Sequence, residues 1–391
     1  MNMLYLAVYT LLEACVHERE HDQLVTFVTC AMHAVLEACA VANITGVKPA
    51  YGEMEHVPLL TTPQLSFVTQ SFLRVRQEAV QRRSVRVAEL KVFADDYDDD
   101  AVEDMRELDN EDAQLMFFCV EALGALIKTH RLHYLPVFCE LVAPVVADLA
   151  HPAVLPSDRR LAVFLIVDAL EFWGDQAVDP KSGARLIDSY IPTLLSCTTE
   201  SHDVLRQAAL YGLGAVAAAC PETSLPYIPQ AVAALLAALN ALPVAQRTEV
   251  EDNAVTALGK IIIHSYASAV AAGHALPSRS EIVTHFLLAM PLRHDRDEAR
   301  VAIQMLCTWI DMSDADVMGA PGAVDTPRLA HVLHVLAATL LDRLTCTDAL
   351  RGRIVASLQH LRTHVPAAEL GGVWGTLSEK DRNALMAAIP S

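Results

Sequence analysis

The chain has 391 residues, 53% of them apolar, and a net charge of −19. So much apolar content buries a large core, and so much negative charge disfavours nucleic acid and suits basic partners. Ala and Leu dominate while alternating β-branched runs and Asn-Gly turns are nearly absent, which predicts an all-α chain.

Met1 to Cys15 is apolar but lacks a basic start, so it is read as a helix rather than a signal peptide. The longest uncharged run, Gln207 to Pro221, falls short of the ~20 residues needed to span a bilayer. The nine cysteines (Cys15, Cys30, Cys39, Cys119, Cys139, Cys197, Cys220, Cys307 and Cys346) form no CxxC and are expected as reduced thiols of an intracellular protein.

In chain order, two helices are expected over 2–18 and 21–43, a linker over 44–62, and a long helix from Pro63 to about Phe93 whose second half is basic. Residues 95–112 then carry eleven acidic residues, among them Asp95, Asp96, Asp98, Asp99, Asp100, Glu103 and Asp104, against one base, Arg106. A like-charge block of this density is expected as a solvated or disordered loop. Three roles are open for it: a solubilising linker, a polyanion-like bait for Lys/Arg-rich ligands, or self-docking on the Arg74–Lys91 stretch.

Helix pairs follow at 132–151 with 156–174, 184–199 with 202–219, 224–241 with 246–265, 277–291 with 294–312, and 325–343 with 346–363. With two earlier pairs this makes seven repeats. Tyr134-Leu135-Pro136, Tyr190-Ile191-Pro192 and Tyr227-Ile228-Pro229 are each expected in a first turn, where proline loses no helical hydrogen bond. Residues 367–391 read as short capping helices over the last apolar face.

Asp203 to Gly214 organises the array. Leu213-Gly214 recurs 45 residues later as Leu258-Gly259 and 90 earlier as Leu123-Gly124, with Ala169 between. Acids keep nearly the same step at Asp112, Asp158, Asp203, Glu249 and Asp295. Two helices in a period of about 40–47 residues mark a HEAT or armadillo-type array, so the expected fold is an α-α superhelix over 1–391.

No catalytic chemistry is legible. Gly212-Leu213-Gly214-Ala215-Val216-Ala217 fits G-x-G-x-x-A, but the glycines lie mid-helix with no strand before them, which predicts helix packing. Gly259-Lys260 lacks the upstream glycine of a P-loop. The pairs His17/His21, His130/His133, His331/His334 and His360/His364 bring no third metal ligand, and no G-x-S-x-G occurs. No enzyme, metal or cofactor is expected.

Several segments together resemble the importin-β superfamily of nuclear transport receptors, in particular its importin-beta-three (importin five) branch. They are Leu205-Arg206-Gln207-Ala208-Ala209 with Tyr211-Gly212-Leu213-Gly214, Glu251-Asp252-Asn253-Ala254 with Ala257-Leu258-Gly259-Lys260-Ile261, Met290-Pro291-Leu292 with Asp295 and Asp297-Glu298-Ala299, and Gly371-Gly372-Val373-Trp374. Ala94-Asp95-Asp96-Tyr97-Asp98 resembles the branch's acidic insertion. The likeness covers about residues 60–391 and implies the carboxy-terminal part of such a receptor, or an unusually short one. It implies basic cargo proteins, phenylalanine-glycine nucleoporins and Ran-GTP as partners, the last mainly through repeats not found here. It also implies a place in cytoplasm, nucleus and nuclear pore. A monomer without direct nucleic-acid binding or membrane insertion is expected.

The concave helices are expected to present Asp158, Asp203, Glu249, Asp252, Asn253, Asp295, Asp297 and Glu298 to basic cargo. Carboxylates attract Lys and Arg, and an Asn amide bonds an extended backbone through donor and acceptor. A HEAT scaffold or regulatory subunit unrelated to Ran is the alternative.

Overall fold

Polar residues close the helix starts. Thr248 and Glu251 form a reciprocal capping box, and Ser278, Asp295, Asp314, Asp325 and Thr347 each accept a first-turn N–H. The resulting all-α chain, a computed structural model, is described over residues 60–92, 99–243, 246–320 and 323–388. It divides into two compact units, Met1–Thr193 and Leu194–Ser391. The helices expected over 2–18 and 21–43 lie outside the described residues.

In the first unit, α1 (Thr62–Val92) and α2 (Asp99–His130) pack as a hairpin. Leu65, Val68 and Phe72 of α1 and Leu115, Cys119 and Leu126 of α2 form its buried face. A segmented helix follows: a 3₁₀ turn Arg131–His133, an α turn Leu135–Val137, a π turn Phe138–Val142 and α3 (Ala143–Leu149). It packs with α4 (Pro156–Trp173). Tyr134 is fully buried, with its hydroxyl 2.8 Å from Thr69 Oγ1, and burial pushes its phenol up.

The acidic block departs from expectation. Residues 99–112 are not a loop: Asp99, Asp100, Glu103 and Asp104 are the first turns of α2. Two physical terms make this possible. Carboxylates at a helix start meet its positive dipole end. Further on, Asp109 and Asp112 meet the basic half of α1, with Arg86 Nε 2.7 Å from Asp109 Oδ1 and both Arg82 and Arg86 on Asp112. The C-terminal end of the block therefore docks on α1, whereas Asp100, Glu103 and Asp104 stay at the solvated end. Asp95, Asp96 and Asp98 lie outside the described residues.

α2 and α4 cross at Gly124, where any Cβ would run into the Asp168 carboxylate. Asp168 lies 3.3 Å from Lys128 Nζ. Burial raises the Asp168 carboxyl to about 6; Lys128 opposes the rise, and Glu121 and Glu171 add to it. An acid with a raised folded-state pKa binds its proton more tightly folded than unfolded. Its contribution is therefore most favourable below the unfolded value near 4, falls as pH rises to about 6, and is constant above that. The span is at most about 3 kcal/mol. Asp168→Asn is expected to flatten that part of the stability–pH curve, read by denaturant melts at pH 4.5, 6 and 7.5.

At the boundary of the units lies α5 (Leu186–Cys197). Pro192 is inside it rather than in its first turn, because the helix begins six residues earlier, at Leu186, after a short bridge between Val178 and Arg185. Pro136 and Pro229 do sit in first turns.

The second unit holds α6 (Asp203–Ala219), α7 (Ile228–Ala241) with α8 (Glu249–His264), a short α9 (Tyr266–Ala271), and α10 (Arg279–Ala289) with α11 (Arg296–Asp311). A turn of helix α12 (Ala315–Met318) and a two-residue β-hairpin, β1 (Gly319–Ala320) and β2 (Ala323–Val324), lead to α13 (Thr326–Leu341) and α14 (Asp348–His364). The hairpin is the departure from an all-helical reading, and Gly319 enters it at φ +92°. α15 (Ala367–Thr376) and α16 (Glu379–Ala388) pack on α13. His334 Nδ1 lies 3.0 Å from Asp381 Oδ2 there.

The recurring small residues do what their spacing predicts. A Cβ on Gly214 would sit 2.5 Å from Ala257 Cα, and one on Gly259 2.5 Å from Met305 Sδ. Second helices of successive repeats, α6 with α8 and α8 with α11, therefore approach through glycine. The cap of α6 is His202, and Asp203 is the first helical residue.

Candidate functional site

The residues expected to bind cargo are placed by the second helices, at or near their N-terminal turns. Asp158 lies in the first turn of α4; Asp203 opens α6; Glu249, Asp252 and Asn253 lie in α8; Asp295, Asp297 and Glu298 open α11. Asp158 belongs to the first unit and the others to the second.

Five of the eight are engaged within the fold. Arg83 Nη1 holds both oxygens of Asp158, at 2.9 and 3.1 Å. Asp252 is 4% exposed, and its Oδ2 accepts the backbone N–H groups of Arg293, His294 and Asp295 at 3.2, 2.8 and 2.9 Å. Asn253 is 3% exposed, and its amide donates to the Glu249 carbonyl and to Asp295 Oδ2 at 2.8 and 3.0 Å. Asp295 caps α11 through the N–H groups of Asp297 and Glu298. Glu298 is buried against Thr256, with Lys260 Nζ at 4.0 Å.

These contacts correct the reading of Asn253 as a peptide clamp: its NH₂ is already engaged, once within α8 and once on the next repeat. Partners 41–43 residues away, about one repeat, tie α8 to the turn before α11. Burial pushes the Asp252 carboxyl up against the pull of its three N–H donors. It pushes Glu298 up too, opposed by Lys260 and Thr256.

The three others face solvent. The Asp203 side chain is 64% exposed and the Asp297 side chain 88%, each with an ion pair to the arginine three residues on, Arg206 and Arg300. Pairs of this kind between exposed groups hold weakly and are screened by salt, so both carboxylates remain available to a competing cation. Glu249 is exposed at the start of α8. Sequence reasoning missed the polar row beside them: Glu251, buried in the capping box, and Lys260, whose Nζ lies 4.4 Å over the Tyr211 ring.

A cavity of about 220 Å³ lies between successive repeats of the second unit, lined in part by Pro291, Leu292, Ile303 and Ala338 with Arg293 and Asp342 at its polar side. It is smaller than the ~300–1,000 Å³ of small-molecule pockets and suits one apolar side chain. The six described cysteines are thiols, not disulfides. Among the described residues, no group of three or more His, Cys, Asp or Glu is placed to hold a metal, and no helix is long and apolar enough to cross a membrane.

Residues 56–151 match the family model of importin repeat 6. That match covers about a quarter of the chain. Among solved structures, Kap121p bound to RanGTP is similar at 16% identity and a TM-score of 0.68, over 99% of this chain and 30% of that one. Kap121p alone is similar at 15% identity and a TM-score of 0.64, over 99% and 30%. Kap121p bound to Pho4p is similar at 15% identity and a TM-score of 0.61, over 98% and 30%. The chain thus spans about 30% of the length of the solved chains that it matches. At this identity the likeness carries the fold alone, and that fold is a HEAT-repeat solenoid. The residues matched by that model contain α1, α2 and their Arg82–Asp112 contact.

Proposed function

We propose that this chain is a segment of a nuclear transport receptor that binds basic cargo through the exposed carboxylates Asp203, Glu249 and Asp297. The observation that carries the reading is the split at the second-helix starts: five polar side chains hold the repeats in register, while three acids stand in solvent on the same kind of turn. Kap121p structures with RanGTP, Pho4p and Nup53p give the family context. In this reading cargo lysines replace Arg206 and Arg300 on Asp203 and Asp297. The small cavity beside Leu292 takes a nucleoporin phenylalanine, and Ran-GTP acts mainly through repeats outside this chain. The receptor moves between cytoplasm and nucleus as a monomer, and catalysis plays no part.

Titrating a lysine-rich localisation peptide against the full chain at 50 mM and 300 mM salt tests this. Tighter binding than an Ala-for-Lys peptide, weakening at least several-fold at the higher salt, is expected because the charges are exposed. Equal binding of the two peptides at 50 mM would sink the cargo role.

A further inference from the structure

Two groups of arginines in the first unit differ in what they rest on. Arg82, Arg83 and Arg86 each hold a carboxylate. Among the described residues, Arg160 and Arg131 hold none and lie on phenylalanine instead. The Arg160 guanidinium is 5.6 Å from the Phe164 centroid and 5.9 Å from that of Phe117, and its Nε is buried with no hydrogen-bond partner. The exposed Arg131 guanidinium is 4.7 Å from the Phe172 centroid, with one long hydrogen bond of 3.4 Å to the Phe172 carbonyl. Arg131 has φ +50°, a left-handed conformation that few side-chain-bearing residues adopt and that collects at functional positions.

All these rings lie along one seam. Phe164 and Phe172 are eight residues apart on α4, about 12 Å along its axis. On the facing stripe of α2, Phe117, Glu121, Gly124 and Lys128 follow at helical spacing. The middle of the seam is net acidic: Lys128 pairs with Asp168, and Glu121 and Glu171 lie near. Each end keeps a stacked cation. Stacking on a ring fixes a guanidinium without neutralising it, so its edge N–H groups stay ready for a planar anion at little further entropic cost.

We propose that the α2–α4 seam binds an extended peptide through two of its carboxylate side chains, one on Arg160 and one on Arg131. At about 3.3 Å per residue, the ~12 Å span fits acids about four residues apart. A continuous acidic run is disfavoured, because Glu121, Asp168 and Glu171 face its middle. The charge preference is opposite to that of the cargo site and stands independently of it.

The test is fluorescence anisotropy on the full chain at 50 mM salt with Gly/Ser peptides carrying two Glu four residues apart, the same peptide with Gln for Glu, and one with adjacent Glu. The spaced-Glu peptide is expected to bind at least tenfold tighter than the Gln peptide and several-fold tighter than the adjacent-Glu one. Arg160→Gln and Arg131→Gln are each expected to weaken it about tenfold with an unchanged melting curve. Equal affinity for the Glu and Gln peptides overturns the proposal without any variant. So does retained affinity in the folded double variant, or binding of a phosphoserine peptide where the Glu peptide fails.

Discussion

Asp252→Ala lowers the stability of the second unit by about 3–5 kcal/mol, the range for removing one partner of a buried, charge-assisted contact. The cost has an identifiable source. Oδ2 is the acceptor for three successive N–H groups, those of Arg293, His294 and Asp295, in the turn that starts α11. Alanine leaves all three without that acceptor and opens a void at a position 4% exposed. Asp252→Asn keeps one oxygen in place and is expected to lose roughly half as much, since a neutral acceptor makes weaker hydrogen bonds. Urea denaturation of the three proteins gives the ranking. Hydrogen exchange places the loss, with protection falling first around 293–298.

Gly214→Ala destabilises by about 1–3 kcal/mol, although helix propensity alone favours alanine by about 1 kcal/mol. Packing outweighs propensity because the new methyl meets Ala257 Cα at 2.5 Å, a backbone atom of the neighbouring helix that no rotamer change can move. Gly352, in the interior of α14, has nothing within 4 Å of the same methyl. Gly352→Ala is expected to raise stability by up to about 1 kcal/mol. The opposite signs at two helical glycines, read as shifts in melting temperature, distinguish a close helix approach from a general intolerance of substitution.

How much was legible follows from where each feature's partner lies in the chain. The long helix expected from Pro63 to about Phe93 is Thr62–Val92, because its signal is local. Gly214 and Gly259 were readable as contact points, since a periodic small residue has one common physical use. The acidic block was misread as a loop from Asp99 onward, although docking on the basic stretch before it was among the roles left open. Arg82 and Arg86, four apart on α1, match Asp109 and Asp112, three apart on α2, and Val102 and Met105 continue that face. The charge pattern was in the chain, but its meaning depended on the two helices folding back together.

The eight candidate residues show the same limit more sharply. Asp252 and Asp203 are both acids near the start of a second helix, yet one is buried and the other solvated. What buries Asp252 is a backbone turn 41–43 residues downstream that presents three N–H groups to it. Flanking burial offers a partial signal, since Asp252 and Asn253 sit between Val250 and Ala254, both buried. The strain at Arg131 and the ring beneath it have no sequence signature.

The division of labour among these acids can be measured in one comparison. The affinity of a lysine-rich peptide at 50 mM salt is determined for the unaltered chain, for the triple variant Asp203→Lys, Glu249→Lys and Asp297→Lys, and for Asp252→Asn. The triple variant is predicted to lose at least tenfold in affinity with its melting temperature nearly unchanged, whereas Asp252→Asn melts earlier and, while folded, still binds. Full affinity in the triple variant would contradict the assignment.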